Sequence, residues 1–392
     1  MARFCIIGSY SGRNAGDCAI LENVARGIVE TFPDAVCEVP TLNPAFIRNT
    51  YSDLPMVPVP CMPWNLSVKL FGLPLALSVL RSDAVIVTAA MLFDIRFWNP
   101  LYNFLTSLLI ALPLAKLTGK KVFFYGVGVG PVNTLKGRAV VRYLLNLADG
   151  ITLREENSIP IMRDLGAAVT PVMAADPALN QRVPEEAAAR MRERVRQDLG
   201  EGPFATVNLN AYVGGWTQDA AGKTLTRERF EAETAAAVRR LVDEWNLGAA
   251  LISTHRMDDA VMESVLRRID RPGRAVLYKC RDFDHRELMA VMGMSEFMVG
   301  MRLHCQILAF AAGTPCIALN YAPKVRHFMQ MAGLEDLVIE LDGGYSADGL
   351  LGRCAHLRDH RETLLPDMLA RVAALKQAAK NSPAELAKVM GG

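Results

Sequence analysis

Short apolar runs alternate with helical stretches from one end of this chain to the other, and that alternation leaves few architectures open. A strand, a helix and a second strand close into a parallel pair, and a parallel sheet needs helices on both faces because its strands are apolar throughout. Strand candidates fall at residues 4–7, 36–39, 84–87, 122–125, 151–153 and 169–173, and again at 204–209, 249–252, 275–278, 297–299, 316–319 and 337–339. Between the two series the texture changes, with Pro184, a highly charged Ala/Arg/Glu helix and Gly200-Glu-Gly-Pro203, as at a domain junction. The expected fold is α/β: two Rossmann-like domains, residues 1–180 and 204–346, with parallel sheets facing a cleft. Residues 181–203 join them, and a helical region at 347–392 packs on the second unit or crosses back to the first.

Composition narrows the partners. Hydrophobic residues make up 51% of the 392, and a formal charge of +2 gives no reason to expect nucleic acid. The eight cysteines are scattered, without a C-x-x-C or a metal-like Cys/His spacing, and read as reduced thiols of a cytoplasmic protein. No signal peptide is expected, since a strand candidate starts at residue 4. The most apolar segment, residues 101–118, is interrupted by Tyr102, Asn103, Pro113 and Lys116 and falls short of the roughly 20 residues of a bilayer span. It reads as a buried helix, with a peripheral membrane contact through residues 66–80 left open at the inner face. Nothing fixes an oligomeric state.

In open parallel sheets ligands bind beyond the carboxyl ends of the strands. The first such loop, residues 8–17, carries Arg13, Asn14, Gly16 and Asp17, with a spacing that matches neither the dinucleotide fingerprint nor a Walker loop. Asp17 is the expected N-cap, and Arg13 and Asn14 either face the cleft or shape a tight turn. After the fourth strand, Gly126-Val-Gly128-Val-Gly130-Pro131 forms either an anion-binding nest or a tight loop. Arg154 follows the fifth strand and Asp176 the sixth; each is read as structural or cleft-facing. In the second series the strand ends present Asn208 and Asn210, then Thr254-His255-Arg256, Tyr278 to Arg281, Arg302 with His304, and Tyr321 with Lys324. That recurrence suits a small, highly charged anion.

The most unusual of these is Met301-Arg-Leu-His304, at the start of a helix that Gly313 and Pro315 end. A helix N-terminus carries partial positive charge and favours acids, yet this one offers two bases with no acid in the same turn. An anion would complete it. Otherwise Arg302 pairs with a distant carboxylate and His304 is a satisfied core histidine.

Taken together, residues 12–20, 126–131, 153–158, 176–179, 301–304 and 313–315, with Tyr321 and Lys324, resemble the polysaccharide pyruvyl transferase family over nearly the whole chain. The resemblance implies a glycosyltransferase-B-like pair of domains, and transfer of the pyruvyl group of phosphoenolpyruvate onto a sugar of a cell-surface polysaccharide, or its lipid-linked precursor, as a ketal. It implies that Arg302 and Arg154 hold the donor and that His304 is the acid. Lys324, Tyr321, Gly128 and Gly130 join the donor side; Arg13, Asn14, Asp17 and Asp94 are expected, less sharply, on the acceptor side. His255 and Asp176 are candidates for the base. Phosphoenolpyruvate would be a co-substrate, with no cofactor and no metal. The chain departs from the family pattern at Thr88-Ala89-Ala90, where glycines usually stand.

The chemistry agrees with the residue types. Protonating the CH2 carbon of phosphoenolpyruvate makes C2 electrophilic, and an imidazole, with an ordinary pKa of about 6.5, can deliver that proton near neutrality. Two alternatives remain. A nucleotide-sugar glycosyltransferase of the same fold would, by resemblance to its retaining members, hold the donor ribose with a glutamate where Leu308 stands, and an apolar side chain cannot accept those hydroxyls. A non-catalytic anion- or sugar-binding protein of envelope biosynthesis would keep Arg302 without needing His304.

Overall fold

A computed structural model describes residues 1–61, 65–88, 91–92, 104–213 and 225–391, apart from the side chains of 65–71 and 91. The chain forms two compact units, each contributed by separated stretches. The first comprises Met1–Gly12, Asp17–Asn180 and Leu375–Gly392; the second comprises Arg13–Gly16 and Gln181–Ala374.

In the first unit the strands are β1 (Arg3–Ile7), β2 (Val36–Pro40), β3 (Met56–Val59), β4 (Ala84–Val87), β5 (Met91–Leu92), β6 (Lys121–Val129), β7 (Gly150–Leu153) and β8 (Val172–Met173). The sheet runs β3-β2-β1-β4-β6-β7-β8, with β5 paired to β6, and every pair is parallel. All four residues of β4 are buried, as a strand covered on both faces requires. Periodicity missed β3, which carries Pro58 and stands at the sheet edge, where a missing N–H costs no ladder bond. The run at 169–173 shortens to two residues, because Pro171 immediately before them cannot donate. The strand expected at 122–125 continues to Val129. Gly126, at φ 58°, makes a bulge that shifts the register between Phe124 and Val127 and lets pairing resume.

The C-terminal helix Asn381–Gly391 packs on β6, β7 and β8 of this same unit. Its Ser382 hydroxyl lies 2.8 Å from that of Thr152 on β7. The approach is close enough that a Cβ on Gly150 would sit 2.8 Å from Val389.

In the second unit β9 (Phe204–Asn208), β10 (Gly248–Ser253), β11 (Ala275–Lys279), β12 (Met298–Gly300), β13 (Cys316–Asn320) and β14 (Val338–Glu340) form one parallel sheet in the order β11-β10-β9-β12-β13-β14. Chain direction reverses across β9 and β12, as it does across β1 and β4 in the first unit. At such a switch point the crossover helices diverge and leave a crevice at the carboxyl ends of the strands. Among the described residues no helix is long and apolar enough to cross a membrane.

Candidate active site in the second unit

The reversal between β9 and β12 is fastened by one amide. Asn208, the last residue of β9, accepts from the Arg302 backbone N–H at 3.0 Å and donates to the Ile252 carbonyl on β10 at 2.8 Å. Its own carbonyl takes the Met301 N–H at 3.0 Å. The turn after β12 is thereby fixed, and Arg302 becomes the N-cap of the helix Leu303–Ala311 with extended dihedrals and no side-chain cap. The helix is buried except at His304. Leu308 is packed wholly in the core.

Arg302 is not the unopposed base that its sequence neighbourhood suggests. Its Nε and Nη2 both donate to Asp258, the latter at 2.9 Å, and Asp258 is fully buried and also accepts from the Ala211 N–H at 3.1 Å. The partner stands 44 residues upstream, beyond the reach of any local reading. Burial pulls the Arg302 pKa down, but the bond to Asp258 outweighs it, so the net shift is upward and the guanidinium stays charged. Two parallel bonds also fix its plane. The guanidinium lies 5.6 Å from the Tyr212 ring, Tyr212 stacks on Tyr321 at 6.3 Å and 12°, and the Lys324 ammonium lies 5.5 Å from Tyr321. Two cations therefore bracket a pair of parallel rings.

His304, one residue further along, is backed by Gly16. A Cβ on Gly16 would lie 2.4 Å from the His304 Cβ and 2.8 Å from its Nδ1, so only glycine leaves the ring its place. Gly16 belongs to the segment Arg13–Gly16, which pairs with the end of β10: Asn14 bridges His255 in antiparallel fashion, Ala15 N–H donates to Thr254 at 2.9 Å, and the Arg13 carbonyl accepts from Arg256 at 3.3 Å.

Several sequence expectations change here. Arg13 and Asn14, expected on the first domain, count with the second unit. Asp17 is in the first unit but is not an N-cap, because the helix Ala15–Thr31 begins two residues before it; Asn14 takes the capping place, accepting from Gly16 N–H at 3.1 Å. His255 accepts from Met257 N–H at 3.0 Å through Nδ1, and burial, then the charge of Arg302, lower its pKa to about 4. A neutral ring with Nδ1 so engaged carries its proton on Nε2, which suits a cap and donor rather than the expected base.

In the first unit the Nη1 of Arg154 donates to Asp176 at 2.9 Å, and Asp176 also accepts from Ala178 N–H at 3.0 Å. That is a buried structural pair in place of a donor-holding arginine and a base. The glycine run is no anion nest: Gly126 N–H donates to Thr152, Val129 N–H to Ser158 and Gly130 N–H to Leu92, while Gly128 pairs with β5. Asp94 and the Ala89-Ala90 departure lie outside the described residues. Among the described residues no cluster of three His, Cys, Asp or Glu is placed to hold a metal.

Asp258 and Tyr212 were missed, and Gly16, visible in its loop, gave no sign of its contact with His304. Asp258 lay in view, three residues after His255 in a strand-end loop, but its role depends on a partner from β12. Tyr212 follows Asn208 and Asn210 in the same strand-end loop, and nothing local in the sequence marks it.

Two Rossmann-like units with a site at a sheet's switch point define the glycosyltransferase-B class of architecture. Solved structures agree on the fold: a putative UDP-N-acetylglucosamine 2-epimerase from Listeria monocytogenes matches with a TM-score of 0.63 at 13% identity over 97% of this chain and 94% of that one. The E. coli ADP-heptose LPS heptosyltransferase II matches at 0.53 and 15% over 93% and 100%. Residues 14–323 match the model of the polysaccharide pyruvyl transferase family, and the chain belongs to that family of transferases. The amylovoran biosynthesis protein AmsJ of Erwinia amylovora is 22% identical over 280 residues, 66% of this chain and 61% of that protein's length. The chain therefore spans less than two thirds of that relative.

Proposed function

We propose that this protein transfers the pyruvyl group of phosphoenolpyruvate onto two hydroxyls of a sugar in an exopolysaccharide or its lipid-linked precursor, forming a cyclic ketal and releasing inorganic phosphate. The observation that carries this reading is the start of the helix Leu303–Ala311, where a charged, plane-locked Arg302 and a partly exposed His304 share one turn in a member of this family. Among the described residues the Nη1 of Arg302 makes no hydrogen bond, which leaves one edge of the fork for a carboxylate or phosphate oxygen. Lys324 would take a second anionic group, and the rings of Tyr212 and Tyr321 would flank the planar enol. His304 would protonate the CH2 carbon, one sugar hydroxyl would add to C2 with loss of its proton, and a second would displace phosphate. Arg13, exposed beside this turn, is the proposed acceptor contact.

The name of AmsJ, an amylovoran biosynthesis protein, together with the polysaccharide in the family's description supports the acceptor class. The buried Leu308 argues against a nucleotide-sugar donor, because no carboxylate stands there to bind a ribose. The test is phosphate release from phosphoenolpyruvate across a panel of free and lipid-linked sugars. Acceptor-dependent phosphate release is expected, and its absence together with acceptor-dependent release of UDP or GDP from nucleotide sugars would overturn the reading.

A further inference from the structure

Three consecutive helices of the first unit, Asn65–Arg81, Phe104–Leu117 and Leu135–Asn146, contain no Asp or Glu. They carry Lys69, Arg81, Lys116, Lys136, Arg138 and Arg142. The helix Glu185–Leu199, by contrast, intermixes acids and bases in the ordinary way of a solvated surface. The three helices pack side by side, the second against both others. Their inner faces, including Leu75, Val79, Leu108, Leu112, Val141 and Leu144, enter a single core cluster on one face of the sheet. Their outer faces must therefore look the same way.

Those outer faces are apolar where charge is expected. Leu73, Leu77 and Leu80, spaced four and three apart on one helical stripe, are exposed, Leu73 at 71%. On the next helix Ile110 and Leu117 stand out, Leu117 at 85%, and Leu135 opens the third at 87%. Two of the cations are met by acids from neighbouring elements, Lys116 by Asp149 and Arg138 by Asp164, both at 2.9 Å. With those two paired, the basic character of the outward surface rests on Arg81 and Arg142, both exposed. Exposed apolar residues on packed neighbouring helices, with arginines beside them, mark an interaction surface, and its chemistry selects the occupant.

We infer that this face docks onto the surface of an anionic phospholipid bilayer, with Leu73, Leu77, Leu80, Ile110 and Leu117 entering the headgroup boundary and the basic rim meeting lipid phosphates. A second copy of the chain fits less well, because a two-fold contact would set one acid-free basic face against an identical one. The inference stands apart from the proposed chemistry, which lies in the other unit.

The test is co-sedimentation of the full chain with vesicles of phosphatidylcholine, with and without phosphatidylglycerol. Binding is expected only with the anionic lipid, and the double substitution Leu73→Asp/Leu77→Asp, or the pair Arg81→Glu and Arg142→Glu, should lower the bound fraction about tenfold. A Leu117→Trp reporter, which leaves the rest of the face intact, should shift its emission to the blue on the anionic vesicles. Equal binding to both vesicle types, an unshifted reporter, or a dimer in sedimentation velocity that the leucine substitutions dissolve without any vesicle binding would each overturn the inference.

Discussion

Each unit holds one arginine at the end of a strand against one buried aspartate, and the two pairs are built differently. Arg154, after β7, gives only Nη1 to Asp176; the pair is 8% and 4% exposed, and the arginine's Nε is buried without an acceptor among the described residues. Arg302, after β12, gives Nε and Nη2 to Asp258, and the pair is 14% and 0% exposed. The first contact ties a loop together in a shell of structural bonds. The second orients a guanidinium whose remaining edge, with two tyrosines and a histidine, borders the switch point. Removing one partner of a buried pair strands a charge in either unit, but only one of the two should matter to a ligand.

The sharpest way to break this comparison is to remove each acid. Asp258→Ala should lower stability by about 3–5 kcal/mol in urea denaturation and abolish phosphoenolpyruvate binding in calorimetry. Asp176→Ala should destabilise comparably while the folded fraction binds the donor normally. The opposite pattern would move the donor site to Arg154. Next in size, His304→Gln should lower kcat about 10²- to 10³-fold with donor affinity retained, and near wild-type turnover would remove the acid role.

Two paired glycines sharpen the contrast. A Cβ on Gly16 would meet His304 at 2.4 Å, and one on Gly8 would meet Tyr10 at 2.4 Å in the first unit. Each alanine should cost about 1–3 kcal/mol, but only Gly16→Ala should also depress kcat, since it displaces the imidazole. Equal kinetic damage from both would mean that the strain acts globally.

The smallest effect is a pH slope. His255 falls from 6.5 in the unfolded chain to about 4 in the fold, so between those values the unfolded state binds more protons. Its contribution is complete above pH 6.5 and is lost as pH falls toward 4. A loss of about 2 kcal/mol over that window, absent in His255→Gln, is expected in denaturation midpoints.

Sequence reading located most strands because a strand buried on both faces must be apolar throughout, and Ala84–Val87 or Cys316–Asn320 can hardly be anything else. It failed where pairing depends on context. Met56–Val59 hides behind Pro58, and β6 runs past its expected end because Gly126 can take a positive φ. The helix start at Arg302 was visible as an electrostatic anomaly, yet its resolution by Asp258 was not, because a bond across 44 residues leaves no local trace. Gly16 behind His304 is hidden for the same reason: the two lie 288 residues apart and meet only once the sheet is formed.

The docking of the helix Asn381–Gly391 on β6, β7 and β8 sets an order of assembly. A hydroxyl pair spanning 230 residues joins Thr152 to Ser382, so the first unit acquires this helix only after residues 181–374 of the second unit have been made. Meanwhile the apolar strands that this helix covers wait, and a nascent chain halted after Asn180 would display them to any chaperone or neighbouring polypeptide.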